Sequence, residues 1–494
     1  MISFVFSAVF CTVTATVLAW NQEPHWYIFP VLVCGILIGR DAADWVRGRV
    51  SLFDPAGIIG LLGVHFFFLA PLLHATWDIW IPYIDPPAHW RDWLGGMALL
   101  NAAGLVLYRV ARTRVARAPA PQFTATLWQI DPARLAVMAA VGLMVSGAAQ
   151  AWVYATQGGI SGYVESFTQS IGRPGESALG GLGLVFMVSE AFPIVAMIAF
   201  AVWARWTGRG RGWITLVLVL TAYFVLKMLF GGLRGSRMNT IYGLVWAVAI
   251  IHLWLRPLSK KFIFAGLAFL LVFMYVYGFY KDLGSEVSLV SDPGAMGEYG
   301  AELHRTFTGM VLGDLARADI QAFILYRLWD HDEDQQYGWG RTYLGSLALL
   351  IPRQIWPNRP LTKVFEGTEL LWGRGSYDED DWVSTYVYGL AGETMLNFGP
   401  AAVPFAYLLF GLVVGRLQRF LGRLRPGDAR LLLYPFLLIL CMSALVLDSE
   451  ILLFLSFKDG LVAAVVVLLG VRVARSAEVS LVRVPGDRTI ARAV

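Results

Sequence analysis

The feature that most constrains this chain is a series of apolar runs, each about 20 residues long, that follow one another along most of its length. A run of that length is what a helix needs to cross a bilayer. Hydrophobic residues make up 57% of the 494 residues and charged residues 15%, whereas a soluble domain is about 25% charged. The sequence therefore predicts an all-α polytopic integral membrane protein.

The apolar runs predict about 12 transmembrane helices, within a range of about 11–14. The predicted spans are residues 3–20, 26–39, 56–74, 93–109, 135–156, 182–204, 213–230, 238–255, 262–280, 401–416, 431–447 and 451–471. We expect residues 1–494 to form a single membrane domain. Its one long interruption is the segment 281–400.

Basic residues occur in every second loop of this arrangement. Each loop after an even-numbered span is basic, beginning with Arg40, Arg47 and Arg49 and ending with Arg472 and Arg475. Loops rich in arginine and lysine stay in the cytoplasm. The alternation therefore predicts a multi-pass protein with both termini in the cytoplasm. It also places residues 231–237 and the long segment 281–400 on the outer face.

Two arginines are exceptions to the cytoplasmic location of basic residues, and both lie in the stretch LKMLFGGLRGSRMNT (226–240). Arg234 and Arg237 are three residues apart, so on a helix they would share one face. Guanidinium groups match phosphate oxygens, and the neighbouring glycines allow backbone N–H groups to approach an anion. The stretch predicts a phosphate or pyrophosphate site at the outer surface. The alternative is that both side chains reach lipid headgroups.

The long segment contains further candidates for such a site. LARADIQAFILYRL (315–328) predicts an amphipathic helix with Arg317 and Asp319 near its start. The next candidate stretch, IPRQIWPNRPLTK, predicts a rigid proline-rich turn that carries Arg353 and Arg359.

Aromatic side chains near these arginines are candidates for sugar contacts. Trp356 stands beside two prolines and is either a stacking platform for a saccharide or an anchor at the membrane interface. The outer loop 157–181 adds Tyr163 and Arg173.

Two carboxylates in apolar surroundings are candidates for chemistry. Glu393, in GLAGETMLNFGP (389–400), is either a general base or a partner in a structural hydrogen bond. Glu190 lies within the sixth span, where an ionisable side chain is either functional or paired for structural reasons.

Composition and motifs argue against several other classes. The D-x-D patterns in WDHDEDQQ (329–336) and YDEDDW (377–382) are typical of solvated loops, and we predict no metal and no other cofactor. There is no zinc-ligand spacing, phosphate loop or serine elbow in the sequence. The net charge of +4 reflects basic cytoplasmic loops, so no nucleic-acid partner is expected.

The order of the motifs resembles a known family. TQGGISGYVES, GGLRGSR, LARADIQAF, LLIPRQIWPNRP and GLAGETMLNFGP follow one another between about residues 150 and 420. This order is similar to that of the bacterial oligosaccharide repeat-unit polymerases of the O-antigen polymerase (Wzy) type. The chain has Arg359 where the turn of that family often has lysine, so the charge is kept but its geometry differs.

The resemblance implies a GT-C-like membrane glycosyltransferase in the bacterial cytoplasmic (inner) membrane, with its active site on the periplasmic face. Such enzymes transfer a growing glycan from undecaprenyl pyrophosphate to the non-reducing end of a lipid-linked repeat unit. The implied partners are these lipid-linked oligosaccharides, membrane lipids, and the chain-length regulator and flippase of the same pathway.

The residues agree with such a reaction, because outer arginines can stabilise a pyrophosphate leaving group without a metal. Arg234, Arg237, Arg353 and Arg359 are the first candidates to hold pyrophosphate, followed by Arg317 and Arg173. Glu393 is the first candidate for the base and Asp319 the second. Two other functions stay open: an O-antigen-type ligase with the same donor, and a transporter or flippase of lipid-linked oligosaccharide.

Overall fold

The computed structural model describes residues 2–82, 84–117, 126–170, 183–234, 237–283, 293–302, 306–329, 336–351, 355–378 and 386–475. Most of these residues are helical. The helices of the first half are α1 (Ile2–Leu18), α2 (Ile28–Val46), α3 (Pro55–Val64), α4 (Ala70–Trp77), α5 (Trp90–Arg117), α6 (Pro132–Thr156), α7 (Gly159–Ser170), α8 (Gly183–Ser189), α9 (Phe192–Thr207), α10 (Trp213–Leu229) and α11 (Arg237–Ile250).

The remaining helices include the short ones of the long segment. They are α12 (Lys260–Leu283), α13 (Pro293–Glu302), α14 (Phe307–Gly309), α15 (Ala318–Trp329), α16 (Arg341–Ala348), α17 (Lys363–Trp372), α18 (Gly389–Phe398), α19 (Val403–Leu421), α20 (Tyr434–Val446), α21 (Ser449–Leu455) and α22 (Val462–Leu469). Wider π turns continue four helices, at His65–Leu69, Ile251–Leu255, Met310–Asp314 and Ser456–Leu461. Short 3-10 turns lie at Gly232–Arg234, Pro400–Ala402 and Ala429–Leu432.

Eight helical stretches in the described part of the chain are long and apolar enough to cross a membrane. They are Pro55–Trp77, Trp90–Arg117, Pro132–Thr156, Val185–Thr207, Arg237–Leu255, Lys260–Tyr280, Pro400–Leu421 and Ser449–Leu469. Three of the other predicted spans coincide with shorter apolar helices, α1, α10 and α20. The second coincides with α2, which continues into the polar residues Arg40 and Asp41. A mostly helical membrane protein is thus confirmed, while the count of twelve stays a prediction.

Proline and aspartate define where two of these long helices begin. Asp54 accepts a hydrogen bond from the backbone N–H of Gly57, and Pro55 occupies the first helical position. Asp131 likewise accepts from two backbone N–H groups of α6, and Pro132 follows it. Proline fits the first turn of a helix because backbone N–H groups there have no acceptor within the helix, so a residue without an N–H loses no hydrogen bond.

The chain divides into two compact units. Unit 1 comprises Met1–Ala120, Thr308–Phe420 and Leu440–Leu453, and unit 2 comprises Pro121–Phe307, Leu421–Ile439 and Phe454–Val494.

In unit 1 the first helices and the long segment share one apolar core. Cys11 and Phe68 pack with Leu94 of α5 and with Ala318 and Ala322 of α15.

Two polar contacts join helix ends in unit 1. Asp41 pairs with Arg112 at 2.9 Å and with Arg109 at 3.3 Å. Gln418 donates to both carboxylate oxygens of Asp54. All these residues lie at or beside the predicted even-numbered loops.

Unit 2 contains a two-stranded antiparallel sheet that the all-α prediction did not include. Strand β1 (Thr126–Ile130) pairs with β2 (Val471–Arg475), with Thr126 opposite Arg475. The sheet joins the loop after the fourth predicted span to the residues after the twelfth. The tenth loop joins them, since Arg430 donates to the backbone carbonyl of Thr126 at 3.0 Å.

Other even-numbered loops of unit 2 meet in the same way. Arg205 donates to the carbonyl of Trp254 at 2.9 Å, and Arg256 donates to the carbonyl of Arg211 at 3.2 Å. The π turn Ile251–Leu255 packs against residues Ala429–Leu432. The contacts in unit 2 therefore gather the predicted even-numbered loops at one end of its helices. That arrangement agrees with the alternation in the sequence, while the side of the membrane stays a prediction.

The described residues of the segment 281–400 form short helices, and those in unit 1 pack near predicted odd-numbered loops. Tyr386 donates its hydroxyl to the carbonyl of Pro82 at 2.8 Å, in the loop after the third span. Ser449, directly after the eleventh span, donates to Glu393 of α18. Within unit 1, the long segment and the odd-numbered loops thus lie together.

Cysteine labelling tests the orientation. Ser161, Ser259 and Ile355 are exposed positions in an odd-numbered loop, an even-numbered loop and the long segment, respectively. We expect Ser161→Cys and Ile355→Cys to react with a membrane-impermeant thiol reagent in intact spheroplasts, and Ser259→Cys to react only after lysis. The three natural cysteines are buried and supply little background. Labelling of Ser259→Cys alone in intact spheroplasts would reverse the orientation.

Candidate functional site

Arg234 and Arg237 lie in different secondary-structure elements. Arg234 ends the 3-10 turn Gly232–Arg234, and Arg237 is the first residue of α11. The two arginines therefore do not lie on one continuous helix, contrary to the expectation from their spacing. Arg234 is buried and Arg237 is half-buried.

The guanidinium of Arg234 forms an ion pair with the carboxylate of Glu190. Its carbon also lies 4.1 Å from the centre of the Phe186 ring, a cation–π contact. Glu190 is fully buried. The intramembrane carboxylate and the arginine of the glycine-rich motif, considered separately in the sequence, are thus direct partners in unit 2.

Two further donors converge on the same carboxylate. Lys458 Nζ lies 2.7 Å from Glu190 Oε2, and Asn239 Nδ2 donates to that oxygen at 2.6 Å. A carboxylate in such surroundings is held by charge-assisted hydrogen bonds, which are shorter and stronger than those between neutral groups. Glu190 therefore connects three elements of unit 2.

A second ion pair adjoins the first. Lys227 Nζ lies 3.1 Å from Asp459 Oδ1 and donates to Asn239 Oδ1 at 3.3 Å. Asn239 accepts from Lys227 and donates to Glu190, so it links the two pairs. We call these six residues the charge cluster: Glu190, Lys227, Arg234, Asn239, Lys458 and Asp459.

Breaks in regular helix structure bring the charge cluster together. Glu190 lies in the turn between α8 and α9, although residues Val185–Thr207 form one long apolar stretch. Lys458 and Asp459 are consecutive residues in the π turn Ser456–Leu461. Arg234 belongs to the turn between α10 and α11. Irregular backbone within membrane helices is tolerated where it is buried in protein, and π turns often mark functional sites.

Gly231 explains part of the glycine-rich motif. Its φ of 121° favours glycine, and an added Cβ would lie 2.5 Å from Cδ of Glu190. The glycine thus lets the chain turn closely against the side chain of Glu190. The anion beside this turn is one that the protein itself supplies.

The charge cluster has more positive than negative groups. Lys227, Arg234 and Lys458 face two carboxylates, so the formal charge of the six residues is positive by one. An uncompensated buried charge is costly. Among the described residues, one further anion would balance the formal charge of the cluster.

Asp459 and Lys227 provide a test of this charge balance. We expect Asp459→Asn to destabilise the protein by about 3–5 kcal/mol, because it leaves three cations against one carboxylate. Adding Lys227→Met should recover most of that loss, since the excess returns to one cation. Thermal unfolding of the purified variants in detergent measures both effects, with Lys261→Met, at an exposed position, as control. A double variant less stable than Asp459→Asn would contradict the charge assignment.

Glu393 lies in unit 1, buried on α18, with both carboxylate oxygens occupied. Oε1 accepts from Thr342 Oγ1 at 2.8 Å and from Ser449 Oγ at 2.6 Å, and Oε2 accepts from Ser449 N at 2.7 Å. Ser449 is the first residue of α21, so Glu393 satisfies a backbone donor at a helix start. The structural hydrogen bond named as the alternative from sequence is therefore present.

The surroundings of Glu393 also alter its acidity. Burial raises the pKa of Glu393 to about 7, and the negative charge of Asp448 acts in the same direction. A carboxyl group with a pKa near neutrality is suited to general acid–base chemistry. Its hydrogen bonds and its acidity are thus compatible with either role.

Asp448 holds the chain next to Glu393. Its Oδ1 accepts from the backbone N–H groups of Tyr388 and Gly389, each at 2.9 Å, and its Oδ2 lies 2.7 Å from Lys363 Nζ. These bonds fix the start of α18, on which Glu393 lies.

Asp319, the second candidate for the base, lies at the start of α15 in unit 1. Its Oδ2 is 3.8 Å from Nε2 of His74, and both residues are buried. The other ring nitrogen of His74 lies 2.9 Å from the carbonyl of Ile79.

Two of the other four predicted cationic residues contact backbone carbonyls in unit 1. Arg317 donates to the carbonyls of Gly313 and Asp314 at 3.0 and 3.1 Å. Arg359 donates to the carbonyl of Ile351 at 2.9 Å. Arg353 and Arg173 lie outside the described residues.

The two aromatic candidates for sugar contacts differ in exposure. Trp356 is half-buried. Tyr163 is only 2% exposed and meets Tyr154 edge to face at 5.2 Å. In this conformation Tyr163 is part of a core in unit 2 and does not present an open ring face.

The sequence interpretation missed the residues that complete the charge cluster. Lys227, Lys458 and Asp459 each lie in an apolar run, where an ionisable side chain is a functional candidate. The sequence therefore indicates these residues as candidates. It does not indicate which residues they pair with, because the partners are far apart in the sequence. Among the described residues, no group of three or more His, Cys, Asp or Glu side chains is arranged to hold a metal ion.

Comparison of the chain with protein-family models, with curated proteins and with solved structures gives no match.

Proposed function

We propose that this protein is a metal-independent polymerase of lipid-linked oligosaccharides. It transfers a growing glycan from undecaprenyl pyrophosphate to the non-reducing end of a lipid-linked repeat unit. The observation that carries this proposal is the charge cluster. It combines Arg234 of the family-like motif with two buried lysines and an excess of positive charge.

The proposed reaction uses this charge for the leaving group. The acceptor hydroxyl oxygen attacks the anomeric carbon of the donor chain, and the bond from that carbon to the phosphate oxygen breaks. The bonding electrons stay on the pyrophosphate, where a cationic site stabilises the charge that develops. Arg234 and Lys458 are the proposed contacts.

The hydroxyl proton passes to a carboxylate in this proposal. Glu393 is the first candidate because its raised pKa lies closer to neutrality than that of an ordinary carboxyl group. It would have to release one of its present donors to receive the proton. Asp319 is the second candidate.

Deletion of the gene in its native host tests the proposal. We expect single repeat units to accumulate on the carrier lipid in place of long chains. Long chains that persist on the carrier lipid would contradict the polymerase. If these chains also failed to reach their final acceptor, the ligase would be supported.

A transporter or flippase of lipid-linked oligosaccharide is the second candidate function. It is favoured by broken helices around buried charges, an arrangement that transporters use for their binding sites. In that case, deletion should leave repeat units on the inner leaflet. A leaflet-specific labelling of the accumulated glycan separates the two functions.

A further inference from the structure

The carboxylate of Glu190 sits where three different donors converge. Arg234, Lys458 and Asn239 approach it with a guanidinium, an ammonium and an amide. Fixed donors of these three kinds are also what binds a phosphate group, whose oxygens accept charge-assisted hydrogen bonds in the same way. A buried carboxylate and a phosphate oxygen pair are thus interchangeable partners for this donor set.

We propose that Glu190 occupies the place of a phosphate group in the ligand-free protein and gives it up when a pyrophosphate binds. This inference rests on the proposed function, because it names the ligand class as the pyrophosphate of a polyprenyl carrier lipid. It assigns Lys458 and Asn239 to the pyrophosphate site, together with Arg234.

The charges of the cluster fit such an exchange. With Glu190 moved aside, three cations remain against Asp459, an excess of two. A pyrophosphate esterified at both ends carries one ionised oxygen on each phosphate. The two negative charges of the ligand would therefore balance the two excess positive charges. In the ligand-free state, Glu190 balances only one of them.

The backbone around Glu190 provides the means for its movement. The residue lies in the turn between α8 and α9, where the regular helix is interrupted, although its own N–H still donates to the carbonyl of Phe186 at 3.1 Å. Gly231 faces the carboxylate without a side chain. Hinges in proteins are commonly such residues at the ends of elements.

Binding of inorganic pyrophosphate to the purified protein in phosphatidylcholine nanodiscs tests the exchange. We expect Glu190→Gln to bind about tenfold more tightly than the wild type, because the glutamine competes without charge. Lys458→Met should bind about tenfold more weakly, since it removes a ligand cation. Glu298→Gln, an exposed change in the same unit, is the control and should bind as the wild type does.

Unchanged or weaker binding by Glu190→Gln would overturn the exchange. If that variant does not fold, Asn239→Asp provides the test. Its added carboxylate should weaken binding about tenfold, and binding at least as tight as the wild type would overturn the inference. Loss of pyrophosphate binding in discs that contain phosphatidylglycerol would assign the site to lipid headgroups and would also overturn it.

The binding experiment is independent of glycan transfer. Pyrophosphate binding with the expected order of variants would support the site even if deletion of the gene left chain length unchanged, a result that would refute the polymerase. Absence of pyrophosphate binding in a protein whose deletion abolishes long chains would refute the exchange and leave the polymerase standing.

Discussion

Replacing Arg234 by alanine should reduce chain formation by about 10²–10³-fold, the effect of removing one charged contact that strengthens in a transition state. The variant should still fold, because the charge cluster would then hold two cations and two carboxylates. Arg234→Lys should recover only part of the activity, since lysine lacks the planar fork. Complementation of a deletion strain, with protein level measured in the membrane, gives both quantities.

Matched variants separate this effect from a general loss of charge. Arg209→Ala, at an exposed position in an even-numbered loop, should leave chain formation unchanged. Full activity in the Arg234→Ala, Arg237→Ala double variant would contradict a role of either arginine in chain formation.

Replacing Glu393 by glutamine should reduce polymerisation by about 10²–10⁴-fold if this residue is the base. Glutamine can keep an acceptor for Ser449 N, and its amide can donate to the hydroxyls of Thr342 and Ser449, so the fold should persist. Glu393→Ala instead removes the partner of the half-buried Ser449 N–H, at a cost of about 1 kcal/mol. Turnover of the purified variants and their thermal unfolding measure the two roles separately.

The two roles of Glu393 give opposite outcomes for glutamine. A purely structural role predicts near wild-type turnover in Glu393→Gln and a lower protein level in Glu393→Ala. That result would make Asp319 the remaining candidate for the general base, and Asp319→Asn is the variant that tests it.

The acidity of Glu393 predicts a pH dependence. A base must be ionised, and the pKa of Glu393 is raised to about 7, so turnover should rise with pH up to about 7 and then level off. The raised pKa also means that the neutral form favours the folded state. Its contribution to stability should therefore be present at low pH and be lost as pH rises from 4.5 to about 7. A profile of turnover that is flat between pH 5 and 8, measured in liposomes, would exclude Glu393 as the base.

The positions of the helices were readable from the sequence because apolar run length is a local property. A helix in the described residues coincides with each predicted span. The number of crossings is harder to predict, because α1, α10 and α20 are apolar but short. Helix α2 is longer but includes the charged residues Arg40 and Asp41. Strands β1 and β2 were missed because their pairing joins residues 126–130 to 471–475, and five-residue strands leave little pattern in a sequence.

The candidate site could be predicted only in part from the sequence, because it is formed by contacts between residues that are far apart in the sequence. Arg234 and Glu190 were each identified by their unusual place, but their contact joins two separate turns. Lys458 and Asp459 enter the same cluster through a π turn, which changes the direction of side chains in a way that apolar periodicity does not indicate. The glycines of GGLRGSR predict a close approach of backbone N–H groups to a bound anion, and this stays a prediction. The structure instead shows Gly231 packed against the carboxylate of Glu190.

Reconstitution with the natural substrate tests the central claim most directly. Lipid-linked repeat units extracted from the deletion strain would be incubated with the purified protein in liposomes without nucleotide sugars. The polymerase predicts a ladder of longer glycans on the carrier lipid, with one undecaprenyl pyrophosphate released for each new bond. Repeat units that remain single, in the presence of protein that is folded and binds pyrophosphate, would contradict it.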